Sequence, residues 1–273
     1  MNPERLYQQH RDDALAKQVG AKEYLTFVAM PFRDSFSFRA KDIYERVIKA
    51  AATKANTLNL AKKPFAPPKR ADDVPGQALT ITEEIVVQIL ESHFFLADLT
   101  FQNSGVLIET GIALALKPNH QIILISQGSA NDLHFDIKDN NVIFYRDDAS
   151  VETIAKAMIA AAEHFERDIE LYVKSISTTL TTEATYLLHW FATECEKIYS
   201  HQSLHIGIAS KIWPRHGNNA VILFHSAMKE LLTRGLAYTD YPTEATTGND
   251  RFDGGATALG WEFIEHMWPK LAL

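Results

Sequence analysis

The strongest constraint on what this chain can fold into is an alternation that runs from Tyr24 to about Arg146. Short β-branched or aromatic runs are separated there by longer stretches of helical period. The strand candidates are YLTFVA (24–29), HFFLAD (93–98), QIILIS (121–126) and NVIFY (141–145). Each is nearly continuous in apolar character, as a strand buried on both faces of a parallel sheet must be. Apolar spacing predicts helices over roughly 39–58, 79–92, 105–116 and 150–174. Strands alternating with helices give an α/β domain, a parallel sheet with crossover helices. The segment AKKPFAPPKRADDVPG (61–76) holds four prolines and cannot be helical. It reads as a surface loop with room for a short edge strand.

After about residue 175 the pattern changes to amphipathic helices, TTLTTEATYLLHWFATECEKIY and NNAVILFHSAMKELLTRG, with no buried parallel strand. A helix followed by GLAY, a polar loop and TALGWEFI looks like a winged helix. The expected organisation is an N-terminal extension (1–23), an α/β domain (24–174) and a small, mostly helical, winged-helix-like domain (175–273). Residues 170–273 carry 8 Lys+Arg against 11 Asp+Glu, and the whole chain has a net charge of −7. Nonspecific DNA affinity depends on neutralised phosphates, so charge weighs against DNA. The expectation for 175–273 is self-association into a homo-oligomer or docking to a protein partner.

With 46% apolar residues the chain can bury a core, yet no apolar run approaches the eighteen or so residues of a membrane span. The stretch MNPERLYQQHRDDALAKQ lacks the apolar region of a signal peptide, and Cys195 is the single cysteine. Both predict a cytoplasmic address in a reducing compartment. His201 and His205 lie four apart without a third ligand at a recognisable spacing, so no metal is expected. GxSxG, P-loop and GxGxxG signatures do not occur.

In a doubly wound sheet, ligands bind outside the carboxyl ends of the strands. That rule selects MPFRDSFSFRA (30–40) and DLTFQNSGVLIETG (98–111). In the first loop, Arg33, Ser35, Ser37 and Arg39 precede or open a helix and suit a phosphate; a solvated loop ending in an N-cap is the equal alternative. In the second, Asp98 ends a strand, Asn103 and Ser104 can cap a helix, and Glu109 rides on that helix. Caps and early acids are ordinary helix furniture. Gly111, however, weakens the helix and points to a close approach to its backbone.

The residues FVAMPF, Tyr44 and Ile48, KRADD, ITEEIVVQILESHFFLADLTFQNSGVLIETGIALAL, IILIS and LHFDIKDNNVIFY carry a resemblance. Over residues 24–147 the chain resembles the nucleoside 2-deoxyribosyltransferase-like superfamily, including its bacterial TIR-like branch. Its most specific part is the D-L-T-x-x-N-x-x-V-x-x-E-x-G core at 98–111. The resemblance implies a flavodoxin-like sheet with flanking helices. It also implies cleavage or exchange of the N-glycosidic bond of a nucleoside, a nucleoside monophosphate or NAD, without a cofactor. Glu109 falls on the family's nucleophile, Asp98 on an acid near base or sugar, and Asn103 on a position that orients nucleophile and ribose. Met30 and Phe32 in the first motif, with Ser104 and Gly111 in the second, are the matching substrate contacts. Ile108 and Thr110 flank the glutamate where the family commonly differs, and Ser104-Gly105 stand where it usually has Pro-Asn.

The chemistry suits the residues. Breaking a C1′–N bond passes through an oxocarbenium-like state that a carboxylate can stabilise or trap as an ester. A glutamate near a helix N-terminus is expected to be ionised, as a nucleophile requires. The expected function is an N-glycosidase or N-glycosyltransferase. The alternative is a non-catalytic nucleotide sensor that signals through the C-terminal domain. By analogy, a small module beside such a domain suits an effector in bacterial antiviral defence.

Overall fold

The computed structural model describes residues 14–32, 39–70, 83–129, 133, 141–146, 149–194, 203–239, 251–252 and 254–268. It divides into two compact units, one of residues 21–168 and one of residues 1–20 with 169–273.

The first unit is built on β1 (Thr26–Ala29), β2 (Lys69–Arg70), β3 (Phe94–Asp98), β4 (Ile122–Ser126) and β5 (Val142–Phe144). These form one sheet in the order β2-β1-β3-β4-β5, every pair parallel. This is the flavodoxin-like order, whose switch point lies between β1 and β3. β2 is the two-residue edge strand of the proline-rich segment. β1 and β3 are buried throughout, as their apolar runs predict. β5 departs from that expectation: Val142 and Ile143 are half-buried and Phe144 is exposed. The physical reason is its place at the edge, paired with β4 alone.

The first crossover runs continuously through α1 (Ala40–Ile43), a π-helical turn (Tyr44–Lys49) and α2 (Ala50–Leu58). α3 (Glu83–Glu91) enters β3, and α4 (Ser104–Leu116) joins β3 to β4. Side chains alternate along a strand, which sorts the core. Phe27, Ala29, Phe95, Ala97, Leu99 and Leu124 pack with Ile85 and Ile89 of α3 and Val106 and Ala113 of α4. The other parity, Phe94, Leu96 and Asp98, faces the opposite side. There Tyr24 and His93 meet Phe165 of α5 (Ala149–Ser177), and the Tyr24 hydroxyl donates to Glu166 at 2.8 Å.

The second unit contains α6 (Thr182–Glu194), β6 (Ser203–Leu204), α7 (His205–Ile212), α8 (Asn219–Thr233), β7 (Ala237–Thr239), β8 (Arg251–Phe252), β9 (Gly254–Ala256) and α9 (Ala258–Met267). β6 pairs antiparallel with β8, and β7 antiparallel with β9. This is the mostly helical C-terminal region that the sequence predicts. α8 ends at a glycine: Gly235 is left-handed at φ 67°, its N–H reaches the Leu232 carbonyl, and the Leu236 N–H reaches the Leu231 carbonyl. Phe224, Met228 and Leu231 of α8 are buried with Leu187, Phe191 and Phe263. Ile222 is 67% exposed. Among the described residues no helix is long and apolar enough to cross a membrane.

Candidate functional site

The strand end of β3 and the turn after it are organised by Asp98. This carboxylate has no exposed surface. Its Oδ1 accepts the Thr100 N–H at 3.0 Å and the Thr100 hydroxyl at 2.5 Å, and its Oδ2 accepts the Tyr145 hydroxyl at 2.5 Å. Thr100 Oγ1 in turn accepts the Gln127 N–H at 3.0 Å. One carboxylate therefore ties together the carboxyl ends of β3, β4 and β5. Burial pushes the Asp98 carboxyl above its usual range, while the Thr100 and Tyr145 bonds act in the opposite direction. Tyr145 is raised strongly by burial and by the Asp98 charge beside it, so it stays a donor.

Beyond Thr100 the backbone is strained. Phe101 and Gln102 lie in the left-handed region at φ 60° and 48°, where a bulky side chain is disfavoured by about 1–3 kcal/mol. The turn lifts the chain to Asn103, whose Oδ1 accepts the Gly105 N–H at 3.0 Å and the Val106 N–H at 3.3 Å. Asn103 is thus the N-cap of α4, and Ser104 is the exposed first residue of the helix.

Glu109 sits in the second turn of α4 and is 8% exposed. Among the described residues no hydrogen bond or ion pair reaches its carboxylate. Burial raises it to about 7. The expectation of a fully ionised glutamate is therefore narrowed to one that is ionised in part near pH 7 and more fully above it. A helix dipole acts mainly within the first turn, and desolvation outweighs it one turn further in. Thr110 beside it is buried and returns its hydroxyl to the Val106 carbonyl at 2.7 Å.

Among the described residues no hydrogen bond joins Asp98 to Glu109. Glu109 rides on α4, against the face that carries Phe95, Ala97 and Leu99, whereas Asp98 has the opposite parity and meets Tyr145. The close approach expected at Gly111 is also corrected: the residue is exposed, and a Cβ there would meet nothing within 4 Å. Met30 is buried at the end of β1, and Phe32 is exposed two residues on. Arg39 stands at the N-cap position of α1 with extended backbone and no side-chain cap. Arg33, Ser35 and Ser37 lie outside the described residues.

Thr100, Gln127 and Tyr145 escaped the reading of the sequence. An acid two residues before a threonine is a signal for the first, since that spacing closes a side-chain-to-backbone turn. Gln127 and Tyr145 carry no local signal, being 27 and 47 residues from the groups they bind. Among the described residues no three His, Cys, Asp or Glu side chains gather as a metal site requires.

Comparison with protein-family models finds no match. Neither the curated proteins nor the solved structures yield a match to this chain.

Proposed function

We propose that the chain is an N-glycosidase or N-glycosyltransferase that cleaves the C1′–N bond of a nucleoside, a nucleoside monophosphate or an NAD-like nucleotide, with Glu109 as nucleophile. The observation that carries this reading is a nearly buried glutamate with no polar partner among the described residues, on the helix that leaves the carboxyl end of β3. Among the described residues nothing else neutralises such a carboxylate, and in low dielectric its attraction for a developing oxocarbenium ion exceeds what water would allow. The resemblance of residues 98–111 to the deoxyribosyltransferase-like core supports the same assignment.

In the reaction, the C1′–N electron pair leaves with the base. The ionised Glu109 carboxylate stabilises C1′ or bonds to it through oxygen. Water then attacks C1′ and frees the carboxylate, its proton ending on the base of a nucleoside or nucleoside monophosphate, or in solution where the departing group is the neutral nicotinamide of NAD; a second base in place of water gives transfer and passes its ring N–H proton to the first. Asn103 holds the start of α4 and so fixes the helix that presents Glu109. Asp98, with both oxygens engaged, positions the strand ends instead of protonating the base. Met30, Phe32, Ser104 and Gly111 are the proposed substrate contacts, and Arg33, Ser35 and Arg39 the proposed phosphate contacts. We place the protein in the cytoplasm as a homo-oligomer joined, or docked to a protein partner, through residues 175–273. Arg234 of that unit already bonds Glu230 and Thr179, which leaves fewer cations for DNA.

A second reading, a nucleotide sensor that binds without cleaving, draws support from the same engagement of Asp98, because it leaves Glu109 without a free acid beside it. Incubation of the purified protein with nucleosides, nucleoside monophosphates and NAD, followed by chromatography, separates the two. Release of free base by the wild type and its absence in Glu109→Gln are expected; binding without release establishes the sensor.

A further inference from the structure

The turn between β3 and α4 holds an aromatic ring toward solvent. Phe101 is 59% exposed and is the most exposed phenylalanine among the described residues. Its backbone, at φ 60°, and that of Gln102, at 48°, lie in the left-handed region, which a bulky side chain adopts only under strain. More than half of the residue's surface stays in water, whatever else it touches, so burial offsets little of that strain. On the glycosidic reading proposed above, on which this rests, we infer that the Phe101 ring stacks on the base of the substrate and so determines which ligands the Glu109 site accepts.

Three observations converge on this. First, the strained turn is braced at both ends, which is how a fold retains an unfavourable backbone at a ligand clamp. Before it, Thr100 is tied to Asp98 Oδ1 through its N–H at 3.0 Å and its hydroxyl at 2.5 Å, and its Oγ1 accepts the Gln127 N–H at 3.0 Å. After it, Asn103 caps α4 through the Gly105 and Val106 N–H groups. Within it, the Gln102 N–H donates to the Leu99 carbonyl at 2.9 Å. The backbone that carries the ring is therefore preorganised, and less order has to be imposed on binding. Second, the ring stands at the end of the sheet where a flavodoxin-like fold takes its ligands. β1 and β3 run parallel with Ala29 opposite Ala97, and the chain leaves them through Phe32, itself 53% exposed, and through Phe101. Helical side chains lean toward the helix N-terminus, a direction that carries Glu109 toward the turn from about 9 Å of helix rise beyond Asn103. A nucleoside fits a gap of that size, with C1′ at the carboxylate and the base at the ring. Third, both oxygens of Asp98 are engaged, by Thr100 and by Tyr145, so this carboxylate does not supply the contact to the base expected of it. Stacking on an aromatic face supplies that contact without a hydrogen-bond partner.

The consequence is a base subsite that reads a face and not an edge. Every base presents a π-face, so stacking accepts purines and pyrimidines alike, whereas a site built on hydrogen bonds to a base rejects the analogue that lacks them. Loss of the ring should therefore bring any base-bearing ligand down toward the affinity of its sugar alone.

Isothermal titration calorimetry on the full chain tests the inference, with adenosine, cytidine, adenosine 5′-monophosphate and NAD as base-bearing probes and ribose as the sugar alone. A Glu109→Gln background keeps the probes intact where the wild type turns them over. Phe101→Asn removes the ring and suits the left-handed backbone, so folding should survive, as circular dichroism verifies. Phe101→Leu keeps apolar bulk without a π-face, and Phe101→Tyr keeps the ring. Adenosine should bind the wild type about tenfold or more tightly than ribose, and Phe101→Asn and Phe101→Leu should each weaken the base-bearing probes about tenfold or more, while Phe101→Tyr stays within about threefold. Base-bearing probes that bind no more tightly than ribose, that are indifferent to Phe101→Asn and Phe101→Leu, or that lose as much in Phe101→Tyr as in Phe101→Leu overturn the inference. Ring-dependent binding without base release leaves it standing and refutes the glycosidase reading; base release indifferent to Phe101 does the reverse; a wild type that binds none of the probes refutes both.

Discussion

The Tyr145 hydroxyl donates to Asp98 Oδ2 across 2.5 Å, joining the end of β5 to the end of β3 over 47 residues of chain. Thr100 holds the other oxygen of the same carboxylate. The three groups therefore act as a unit, and each should lose value when a neighbour is removed.

Tyr145→Phe should accordingly destabilise the unit of residues 21–168 by about 1.5–3 kcal/mol, the usual range for a lost hydrogen bond to a charged group. Thr100→Val should cost a similar amount, and the double variant should depart from additivity by at least about 0.5 kcal/mol. Chemical denaturation of the four proteins in a double-mutant cycle checks this. A Tyr145→Phe effect below about 0.5 kcal/mol would mean that Asp98 does not fasten β5.

Glu109→Gln should change how stability depends on pH. Because burial raises Glu109 from 4.5 to about 7, the folded protein holds this proton more tightly than the unfolded chain between those values. Its stabilising contribution is complete below about 4.5 and is lost as pH rises toward 7, where it levels off. The glutamine variant lacks this loss, so it should match the wild type near pH 4.5 and exceed it by up to about 3 kcal/mol above pH 7. Thermal unfolding of both proteins from pH 5 to pH 8.5 measures the difference; parallel curves would refute the buried, unpartnered carboxylate.

Activity should follow the same ionisation with the opposite preference. If the carboxylate attacks C1′, kcat/KM for base release rises with pH and flattens above about 7, since that parameter reports the free enzyme. A rate that falls through this region instead would make Glu109 a proton donor. Initial rates over pH 5–9 distinguish the two.

Gly260→Ala should unfold the winged-helix-like unit while sparing the sheet. A Cβ at this position would lie 2.0 Å from the Leu236 carbonyl oxygen, a backbone atom that cannot yield cheaply. Hydrogen exchange resolved by region is the check: protection should fall in α6, α8 and α9 and persist in β1, β3 and β4.

Much of this architecture was legible in the sequence because the relevant forces act locally. Continuous apolar runs identified β1, β3 and β4, which are buried. Spacing located α1–α2, α4 and α5 to within a few residues, and the Asn before VLIETG is a cap because a side-chain oxygen two residues away is always in reach of the first helical N–H groups.

What only the tertiary structure decided are the states and partners of the side chains on those elements. The character of NVIFY forms a strand but does not reveal that it stands at the sheet edge. The position of Glu109 early in a helix predicts an anion, yet its proton affinity is set by how much water the packing of α4 removes. Asp98 and Tyr145 are 47 residues apart and meet because a parallel sheet brings the carboxyl ends of all its strands to one edge. Helix and strand formation depend on neighbours along the chain, so the sequence determines them; charge state and site assembly depend on burial and on neighbours through space, which exist only once the sheet is built.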